Sequence, residues 1–473
     1  MSERYGAVIL GAGPAGLYLA IRLLRVNSIA PPLVVEREQQ VGGLARSFVH
    51  NGLTFDLGSH RLHPSIRPEI LADIRGLLGC DLTMRPRNGR IYLFGRYVSF
   101  PISPRNLLNK LPSFVAGTAW DAVTRGTRKK KNKVAISFED VLLEGLGPTL
   151  CHAFYFPYAR KLWGLEPSQI DQLQAQRRVA ADTAGKIFMK ILATTLGRTG
   201  PGRSFYYPRM GFGQISEALA CEVRRLGGQV DLGCGAQALR AVQGGWEVQI
   251  KSADGKERDY EAPLVFSTIP TSTLLKLLGE IIPPEIASAI SRLRHRGMLL
   301  VYLELARNQF TPFDAHYFPG ADVVLSRLSE PKNYSASPFP TGKTGLCAEI
   351  LSAWQEDLWN RKDDEIVERV LLDLDHVGLP ARGDLTCAFV LRVPFVYPIY
   401  ELGIRQKMDA IEAFLDTQPR LIVLGRQGLF LHDNTHHTME AAWHAAACVN
   451  GTEFDYPAWR LHRASLRANV VED

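Results

Sequence analysis

The spacing of apolar and polar positions predicts a βαβ unit at the start of the chain. Residues 6–10 form an apolar run that ends in glycines, and residues 14–25 place apolar side chains at helical spacing. A second apolar run, residues 33–36, follows. The order strand, glycine turn, helix, strand is typical of parallel strands that are joined by a crossover helix.

Residues 227–269 show a different pattern, in which short alternating runs are separated by turn dipeptides. Gly244–Gly245 and Asp254–Gly255 are such turns, and their positions predict a β-meander. The segment 105–204 is predicted to be mostly helical. The remaining periodic runs predict strands at 298–305, 344–350, 387–393 and 421–424, and an alanine-rich helix from about Thr438 to Ala447.

Three glycines make a GxGxxG pattern at the first predicted strand-to-helix turn. Gly11 permits the tight turn, Gly13 lets the backbone approach a pyrophosphate, and Gly16 lets the helix pack close to the sheet. Glu36 lies twenty positions after Gly16, where a carboxylate can accept hydrogen bonds from a ribose diol. In this context dinucleotide binding is favoured over a glycine turn that holds no ligand.

The segment after the second strand favours FAD over a nicotinamide dinucleotide. It reads Gly42-Gly43-Leu44-Ala45-Arg46, and in flavoproteins of this architecture a glycine pair followed by an arginine extends the FAD site. A surface loop with a solvated arginine is the alternative. The expected cofactor contacts in this part of the chain are Gly11, Gly13, Pro14, Ala15, Gly16, Glu36, Arg37, Gly43, Leu44 and Arg46.

These elements predict an α/β fold with a Rossmann-like FAD-binding domain, made of a parallel sheet plus a β-meander. An α+β substrate domain and a helical segment would be inserted into it. The expected division gives residues 1–105, 205–284 and 415–473 to the FAD-binding domain, 106–204 to a mostly helical insertion and 285–414 to a substrate-binding sheet domain.

Composition and charge indicate the cellular compartment of the protein more clearly than its function. The formal charge of +7 is compatible with an anionic ligand, an anionic membrane or nucleic acid, but no motif supports nucleic-acid binding. Seven dispersed cysteines without a CxxC pair argue against a disulfide framework and a zinc site, and favour a reducing, cytoplasmic setting with no metal. No apolar run is long enough for a transmembrane helix, and a strand starts too early for a signal peptide.

The basic segment Arg125–Lys133 has two interpretations. A solvated loop is the commoner outcome for such a run, while a peripheral membrane contact is the alternative, since residues 106–120 are partly apolar. The oligomeric state stays open.

Seven segments in order resemble the superfamily of FAD-dependent amine oxidases and protoporphyrinogen oxidases, and within it the branch that includes UDP-galactopyranose mutase. The N-terminal signature is GAGPAG, VVER and GGLARSF, followed by a G-x-H-x-x-H pattern at Gly58, His60 and His63. The remaining segments are 157–164 (PYARKLWG), 204–214 (SFYYPRMGFGQ), 327–333 (RLSEPKN), 397–400 (YPIY) and 425–428 (GRQG).

The resemblance implies further cofactor contacts. Gly58, Ser59 and His60 would approach the flavin ring, and Val230 would meet the adenine through its backbone. The turn at Gly425 and Arg426 and the helix near Thr438 would close over the flavin side.

The catalytic candidates are His60, His63, Arg327 and Tyr397. A histidine there could hydrogen-bond the flavin or act as an acid or base, or it could be a packed structural residue. The resemblance favours flavin contact for His60 and His63, and it implies that Arg327 binds a substrate anion, because the mutase branch uses this arginine for the substrate diphosphate.

Arginines and aromatic residues crowd the same segments and suggest a small, anionic substrate. Surface ion pairs and ordinary core packing are the alternatives for each. The substrate-binding candidates are Tyr158, Arg160, Trp163, Tyr207, Arg327, Tyr397, Tyr400 and His432. At His432 the chain departs from the mutase branch, which has a tyrosine there, and this makes strict mutase activity doubtful.

Three functions therefore compete. The favoured one is an FAD-dependent oxidoreductase that takes a hydride from a small anionic substrate. The second is a mutase-like enzyme in which reduced flavin N5 attacks a nucleotide sugar without net redox change. The third, a non-catalytic binding scaffold, would not need an intact pyrophosphate turn.

Overall fold

The computed structural model describes residues 3–26, 29–125, 136–178 and 204–471. In these residues a parallel sheet flanked by helices adjoins a large mixed sheet, which confirms the expected α/β class with a Rossmann-like domain. Within the described ranges, no helix combines the length and the apolar character needed to cross a bilayer.

The parallel sheet has five strands and is assembled from distant parts of the chain. Val265–Ser267 pairs with both Val8–Leu10 and Leu421–Val423. The residues of these three strands are buried, as expected for a parallel sheet that is covered on both faces. The strand order is Gln229–Asp231, Leu33–Val35, Val8–Leu10, Val265–Ser267 and Leu421–Val423.

The predicted βαβ unit and the predicted meander are both present. The helix Pro14–Val26 connects the first two parallel strands. The meander strands are antiparallel, with left-handed turns at Gly244 (φ 89°) and Gly255 (φ 84°). In spatial order the meander sheet contains Glu3–Arg4, Glu257–Ala262, Gly245–Ser252 and Cys234–Val242.

A seven-stranded sheet contains the three strands that were expected around residues 298–305, 344–350 and 387–393. The long strand His295–Leu305 pairs antiparallel with a neighbour on each side. The strand order is Leu385–Pro398, His295–Leu305, Thr344–Ser352, Arg327–Ser329, Ala315–Tyr317, Gly89–Leu93 and Arg96–Phe100.

The last two strands of this sheet form a hairpin from the segment that the sequence division gave to the FAD-binding domain. Gly89–Leu93 pairs with Ala315–Tyr317, and the buried side chains of Ile91 and Val98 pack with Leu111 rather than against the parallel sheet. Residues 89–100 therefore belong to the larger sheet. No change in composition marks this boundary, so the sequence pattern did not predict it. The other domain bounds stay a prediction.

The segment 105–204 is mostly helical where it is described, with short non-helical turns and bridges between its helices. It consists of α-helices Pro104–Lys110, Pro112–Arg125, Phe138–Leu146, Pro148–Leu150, Phe156–Trp163 and Gln172–Arg178, a π-helical turn Cys151–Tyr155 and a 3-10 turn Pro167–Gln169. Residues 126–133 of the basic segment lie outside the described residues.

The remaining elements support the two main sheets. The longer helices are Pro68–Leu78, Gln214–Arg225, Thr271–Leu278, Pro284–Ser291, Asp363–His376, Ile404–Leu415, Thr435–Ala447 and Tyr456–Leu466. The short helices are Gly43–Ala45, Gly79–Asp81, Gly279–Ile281, Pro331–Asn333, Asp357–Asn360, Arg382–Asp384 and Gly425–Gly428. Two-stranded pairs are Ser47–His50 with Leu53–Asp56, Leu82–Pro86 with Ser204–Pro208, and Val449–Asn450 with Glu453–Phe454.

The alanine-rich helix begins three residues earlier than expected. It starts at Thr435 because Asn434 and His437 form a reciprocal capping box that satisfies the first backbone N–H groups.

Candidate functional site

The turn between Val8–Leu10 and the Pro14–Val26 helix places the three motif glycines in different surroundings. A Cβ on Gly11 (φ 102°) would lie 2.5 Å from Thr268 Oγ1, and one on Gly16 would lie 2.1 Å from the Gly11 carbonyl oxygen. A Cβ on Gly13 would meet no atom within 4 Å. The fold itself therefore requires Gly11 and Gly16, whereas Gly13 leaves space open for a ligand against the backbone.

Glu36 is oriented by the same turn. Its Oε2 accepts a hydrogen bond from the Ala12 N–H at 2.9 Å, and its Oε1 accepts one from the Glu38 N–H at 3.0 Å. A Cβ on Gly43 would lie 3.7 Å from the Cα of Gly13. The glycine pair after the second strand thus comes up to the GxGxxG turn, where two backbone segments and one carboxylate converge.

These segments line a crevice of about 580 Å³ that extends to the seven-stranded sheet. Arg37 and Arg46 flank its dinucleotide end and both contact Glu38, at 3.3 and 3.4 Å. The predicted cofactor and catalytic residues that line the crevice are Gly11, Gly13, Pro14, Ala15, Glu36, Arg37, Gly43, Leu44, Arg46, Gly58, Ser59, His60, His63, Arg327, Tyr397, Gly425, Arg426 and Thr438.

Arg327 lies at the other end of the crevice in a buried ion pair. Its Nη2 is 2.8 Å from Glu349 Oε1 and donates to the Ser59 carbonyl at 3.2 Å, while the Ser59 N–H donates to the same Glu349 oxygen at 2.8 Å. Burial alone would lower the pKa of Arg327, but Glu349 with Tyr317 and Tyr397 raises that pKa well above its ordinary value. Arg327 therefore stays cationic and fixed in place.

Two further arginines that were not expected in the site line the same end. Arg61 Nη1 donates to Tyr317 Oη at 3.0 Å, and Arg61 Nη2 lies 3.2 Å from Asp314 Oδ2. Arg87 is buried and lies just before the strand Gly89–Leu93. Arg61 was part of the quoted G-x-H-x-x-H segment, but its carboxylate partner is some 250 residues away in sequence, so no local pattern indicated it.

His60 lines the crevice, with an aromatic ring on one side and the charges of Arg327 and Arg426 nearby. Its ring stacks on Phe212 with centroids 5.3 Å apart, and its Nδ1 lies 3.3 Å from the Gly58 carbonyl. Burial, together with the charges of Arg327 and Arg426, lowers the pKa of His60 to about 4. The imidazole is therefore neutral at pH 7 and can accept or donate a hydrogen bond without carrying charge.

His63 belongs to a buried histidine cluster at the first turn of the Thr435–Ala447 helix. Its Nδ1 is 2.6 Å from Ser65 Oγ, which lies 3.3 Å from His436 Nε2. The His436 and His437 rings are 3.9 Å apart between centroids. Burial and the neighbouring histidines lower the pKa of His436 to about 2, and burial, His63 and Arg177 lower that of His437 to about 4. His436 and His437 are therefore uncharged at pH 7.

The Gly425 turn (φ 78°) brings Arg426 to the crevice wall. Arg426 donates through Nη1 to the Asp433 carbonyl at 2.8 Å and through Nη2 to the Val396 carbonyl at 2.7 Å. Its guanidinium lies 5.1 Å from the centroid of the Tyr397 ring. This stacking holds Tyr397 against the crevice in a cation–π arrangement.

Three of the expected substrate contacts are buried instead. Tyr207 donates to Asp56 Oδ2 at 2.7 Å, and Tyr400 donates to the Phe430 carbonyl at 2.8 Å. His432 is fully buried against Tyr400. Because none of them lines the crevice, the polar groups of the two tyrosines serve to satisfy buried acceptors.

The expected contacts from the helical insertion also lie away from the crevice lining. Arg160 is exposed and pairs with Glu166 at 2.8 Å, and Trp163 is buried in the core. Tyr158 packs on Phe154 with ring centroids 5.8 Å apart. Trp163 belongs to a buried hydrophobic cluster and Tyr158 packs against it, and the substrate contacts expected from these three residues stay a prediction.

Val230 lines a separate cavity on the outer side of the parallel sheet. It lies in the middle of the strand Gln229–Asp231, and its backbone pairs with Val34. The chain reaches the crevice only after the next turn. The adenine contact expected from the Val230 backbone stays a prediction, and the residues of this region that line the crevice are Cys234, Gly235 and Ala236.

Comparison with known proteins decides the family. The family model described as flavin-containing amine oxidoreductase matches residues 14–449. The chain belongs to this family. Its cofactor is accordingly FAD, and the open space at Gly13 and the carboxylate of Glu36 at the dinucleotide end fit that cofactor.

Relatives of this flavoprotein are recognisable over nearly the whole chain. Human protoporphyrinogen oxidase is 25% identical over 488 residues, covering 94% of this chain and 98% of its own length. Among solved structures, reduced UDP-galactopyranose mutase superposes with a TM-score of 0.81 at 20% identity, over 99% of this chain and 100% of its own. A variant of putrescine oxidase superposes with a TM-score of 0.63 at 14% identity, over 94% and 99%. The two structures establish the shared fold.

Proposed function

We propose that this flavoprotein is an oxidoreductase that accepts a hydride from a small anionic substrate. Bound FAD supplies the hydride acceptor. The observation that carries the anionic class is a set of oriented arginines at the end of the crevice distant from the GxGxxG turn. Arg61, Arg87 and Arg327 line that end, and Arg61 and Arg327 are each fixed by a buried carboxylate, Asp314 and Glu349 respectively.

The guanidinium groups at this end are oriented by their carboxylate partners. Arg327 and Arg61 are each held by one carboxylate, so their remaining N–H groups point in fixed directions. An arginine fork fits a carboxylate or phosphate with two parallel hydrogen bonds, and a fixed fork loses little entropy on binding. A substrate anion in the crevice would therefore be oriented as well as attracted.

The dinucleotide end would hold FAD mainly through the backbone. The pyrophosphate would lie against Gly13 and the N-terminus of the Pro14–Val26 helix, where N–H groups and the helix dipole favour negative charge. Glu36 would accept hydrogen bonds from a ribose hydroxyl, and Arg46 would add charge near the phosphates. Gly235 and Ala236 join Val230 in our assignment of the adenine contact.

His60 and Tyr397 would position the substrate between the two ends. Neutral His60 offers a hydrogen bond without competing with the arginines for the anion. Tyr397, stacked on Arg426, offers a phenol hydroxyl at the same wall. His63, buried in the histidine cluster, would support this wall rather than touch the substrate.

Anaerobic mixing of the purified yellow protein with paired compounds tests the proposal. Each pair should contain a carboxylate or phosphate and its neutral amide or ester, with protoporphyrinogen and polyamines as further probes. Loss of oxidised-flavin absorbance with an anion, and at least tenfold slower loss with its neutral partner, is expected. Reduction by amines alone would contradict the anionic class, and a colourless protein that takes up no FAD would contradict the enzyme itself.

A mutase-like reaction is the second candidate, because the same arginine forks suit a diphosphate and the fold matches that of UDP-galactopyranose mutase over 99% of the chain. The discriminating experiment is turnover of nucleotide sugars by dithionite-reduced protein. Isomer formation without net redox change would favour the mutase, whereas substrate-dependent flavin reduction favours the oxidoreductase. A cytoplasmic location and a peripheral membrane contact remain predictions.

A further inference from the structure

A cluster of three potential metal ligands lies outside the crevice lining, where a hairpin meets the seven-stranded sheet. Glu304 and Cys387 face each other in the register of two antiparallel strands, so their side chains share one face of the sheet. His50 ends the strand Ser47–His50, and its Nδ1 contacts Glu304 Oε1. The imidazole nitrogen, carboxylate oxygen and thiol sulfur all lie within 4.8 Å of one another.

The burial of Glu304 distinguishes this cluster from the groups of acidic residues that are common on protein surfaces. The Glu304 side chain is only 4% exposed, whereas that of His50 is 42% exposed, so the cluster opens to solvent on the histidine side. Asn51 Nδ2 donates to Glu304 Oε2 at 2.9 Å, which supplies a hydrogen bond but no charge. Within the described ranges, no lysine or arginine pairs with Glu304. A buried carboxylate in this position is well suited to a cation.

We propose that His50, Glu304 and Cys387 bind one zinc-class divalent cation, with water as the fourth ligand. One nitrogen, one oxygen and one sulfur donor make a set that zinc commonly takes in tetrahedral geometry. Zinc bonds of about 2.0–2.3 Å put donor atoms about 3.3–3.8 Å apart. Binding would therefore need side-chain shifts of about 1 Å, in which His50 Nδ1 and Glu304 Oε1, now in direct contact, move apart to admit the cation. Binding would release the Cys387 thiol proton to solvent.

The position of the cluster gives the cation a structural consequence. The hairpin made of Ser47–His50 and Leu53–Asp56 begins directly after Arg46 and leads directly into Gly58 and Ser59, which line the crevice. A cation at His50 would clamp the tip of this hairpin to the rigid strands that carry Glu304 and Cys387. The clamp would therefore stabilise both crevice segments without touching FAD or substrate.

Zinc content of the FAD-loaded protein tests the site. The holoprotein is treated with EDTA, dialysed against equimolar zinc and then against buffer, and analysed for zinc and flavin per chain. We expect one zinc per chain in the wild type, and at least a tenfold lower retention in Cys387→Ala and His50→Ala with unchanged flavin. The matched control is Cys221→Ala, which removes an exposed cysteine and should retain zinc like the wild type.

Thermal unfolding gives a second readout that does not depend on activity. Zinc should raise the melting temperature of the wild type and of Cys221→Ala by about 2 °C or more, and should leave Cys387→Ala unchanged. Equal zinc retention and equal shifts in wild type and Cys387→Ala would overturn the proposal, as would a wild type that retains no zinc. If a ligand variant loses flavin as well, Cys387→Ser, which keeps the volume, repeats the comparison.

Discussion

The two ends of the crevice are built in different ways. The dinucleotide end comes largely from the continuous stretch Val8–Arg46, and its contacts are backbone groups placed by glycines. The arginine end is assembled from side chains held by distant carboxylates, such as Arg327 by Glu349 and Arg61 by Asp314. The first end depends on the absence of side chains, and the second on their pairing across the sheet.

The largest effect should come from adding a side chain at the dinucleotide end. Gly13→Val places its Cβ where no protein atom lies within 4 Å, so we expect the fold to survive while the side chain excludes the pyrophosphate. We expect FAD affinity to fall at least 100-fold, measured as flavin retained per chain after gel filtration. Gly76→Val is the matched control, since Gly76 is also unobstructed but lies on an exposed helix face. Normal flavin content in Gly13→Val would show that the turn does not hold the cofactor.

At the arginine end, replacing Arg327 by lysine should distinguish the contribution of its positive charge to substrate binding from that of its hydrogen-bond geometry. Arg327→Lys keeps a cation for Glu349 but cannot also span the Ser59 carbonyl and a substrate anion. The expected result is a 10- to 100-fold rise in KM for the anionic substrate. Flavin content should stay at one per chain. If KM stays the same and flavin is lost, Arg327 belongs to the cofactor end instead.

Two tyrosines, Tyr207 and Tyr317, allow residues of the crevice to be distinguished from residues of the buried core. Tyr207 donates to Asp56, whose carboxylate also accepts from Ser47 and Phe212 in a fully buried network. Tyr207→Phe should therefore cost about 1–3 kcal/mol of unfolding free energy and leave KM unchanged. Tyr317→Phe, which removes the partner of Arg61 at the crevice, should change KM more than stability. Denaturant unfolding and steady-state kinetics on both variants provide the check.

These contrasts also explain what could be predicted from the sequence. The roles of Gly13 and Glu36 depend on local spacing within one βαβ unit, which a sequence pattern displays directly. The Tyr207–Asp56 and Arg61–Asp314 contacts join residues far apart in the chain. The sequence motif is the same whether the tyrosine hydroxyl faces a substrate or donates to a buried carboxylate. The folded structure is needed to distinguish these two environments.

His60 lies where the two ends meet, and its pH dependence gives the smallest predicted effect. Its pKa in the folded protein is about 4, below its ordinary value of 6.5, so the unfolded chain binds more protons between these pH values. Stability contributed by His60 is therefore fully present above pH 6.5 and is lost as pH falls toward 4. Because the ring borders the crevice, we expect about 1–2 kcal/mol rather than the full value of the shift.

His60→Asn should accordingly lose about 1–2 kcal/mol less stability than the wild type between pH 7 and pH 4.5, measured by urea unfolding at each pH. His316→Asn is the control, because burial lowers the pKa of His316 to about 4 as well, but outside the crevice lining. In both variants the unfolding free energy should fall less steeply between pH 7 and pH 4.5 than in the wild type. Only His60→Asn should also shift the flavin absorbance spectrum. An unchanged flavin spectrum in both variants would indicate that His60 does not contact the flavin. His60 would then be a buried structural residue, and Ser59 would be the last residue of this segment at the cofactor end of the crevice.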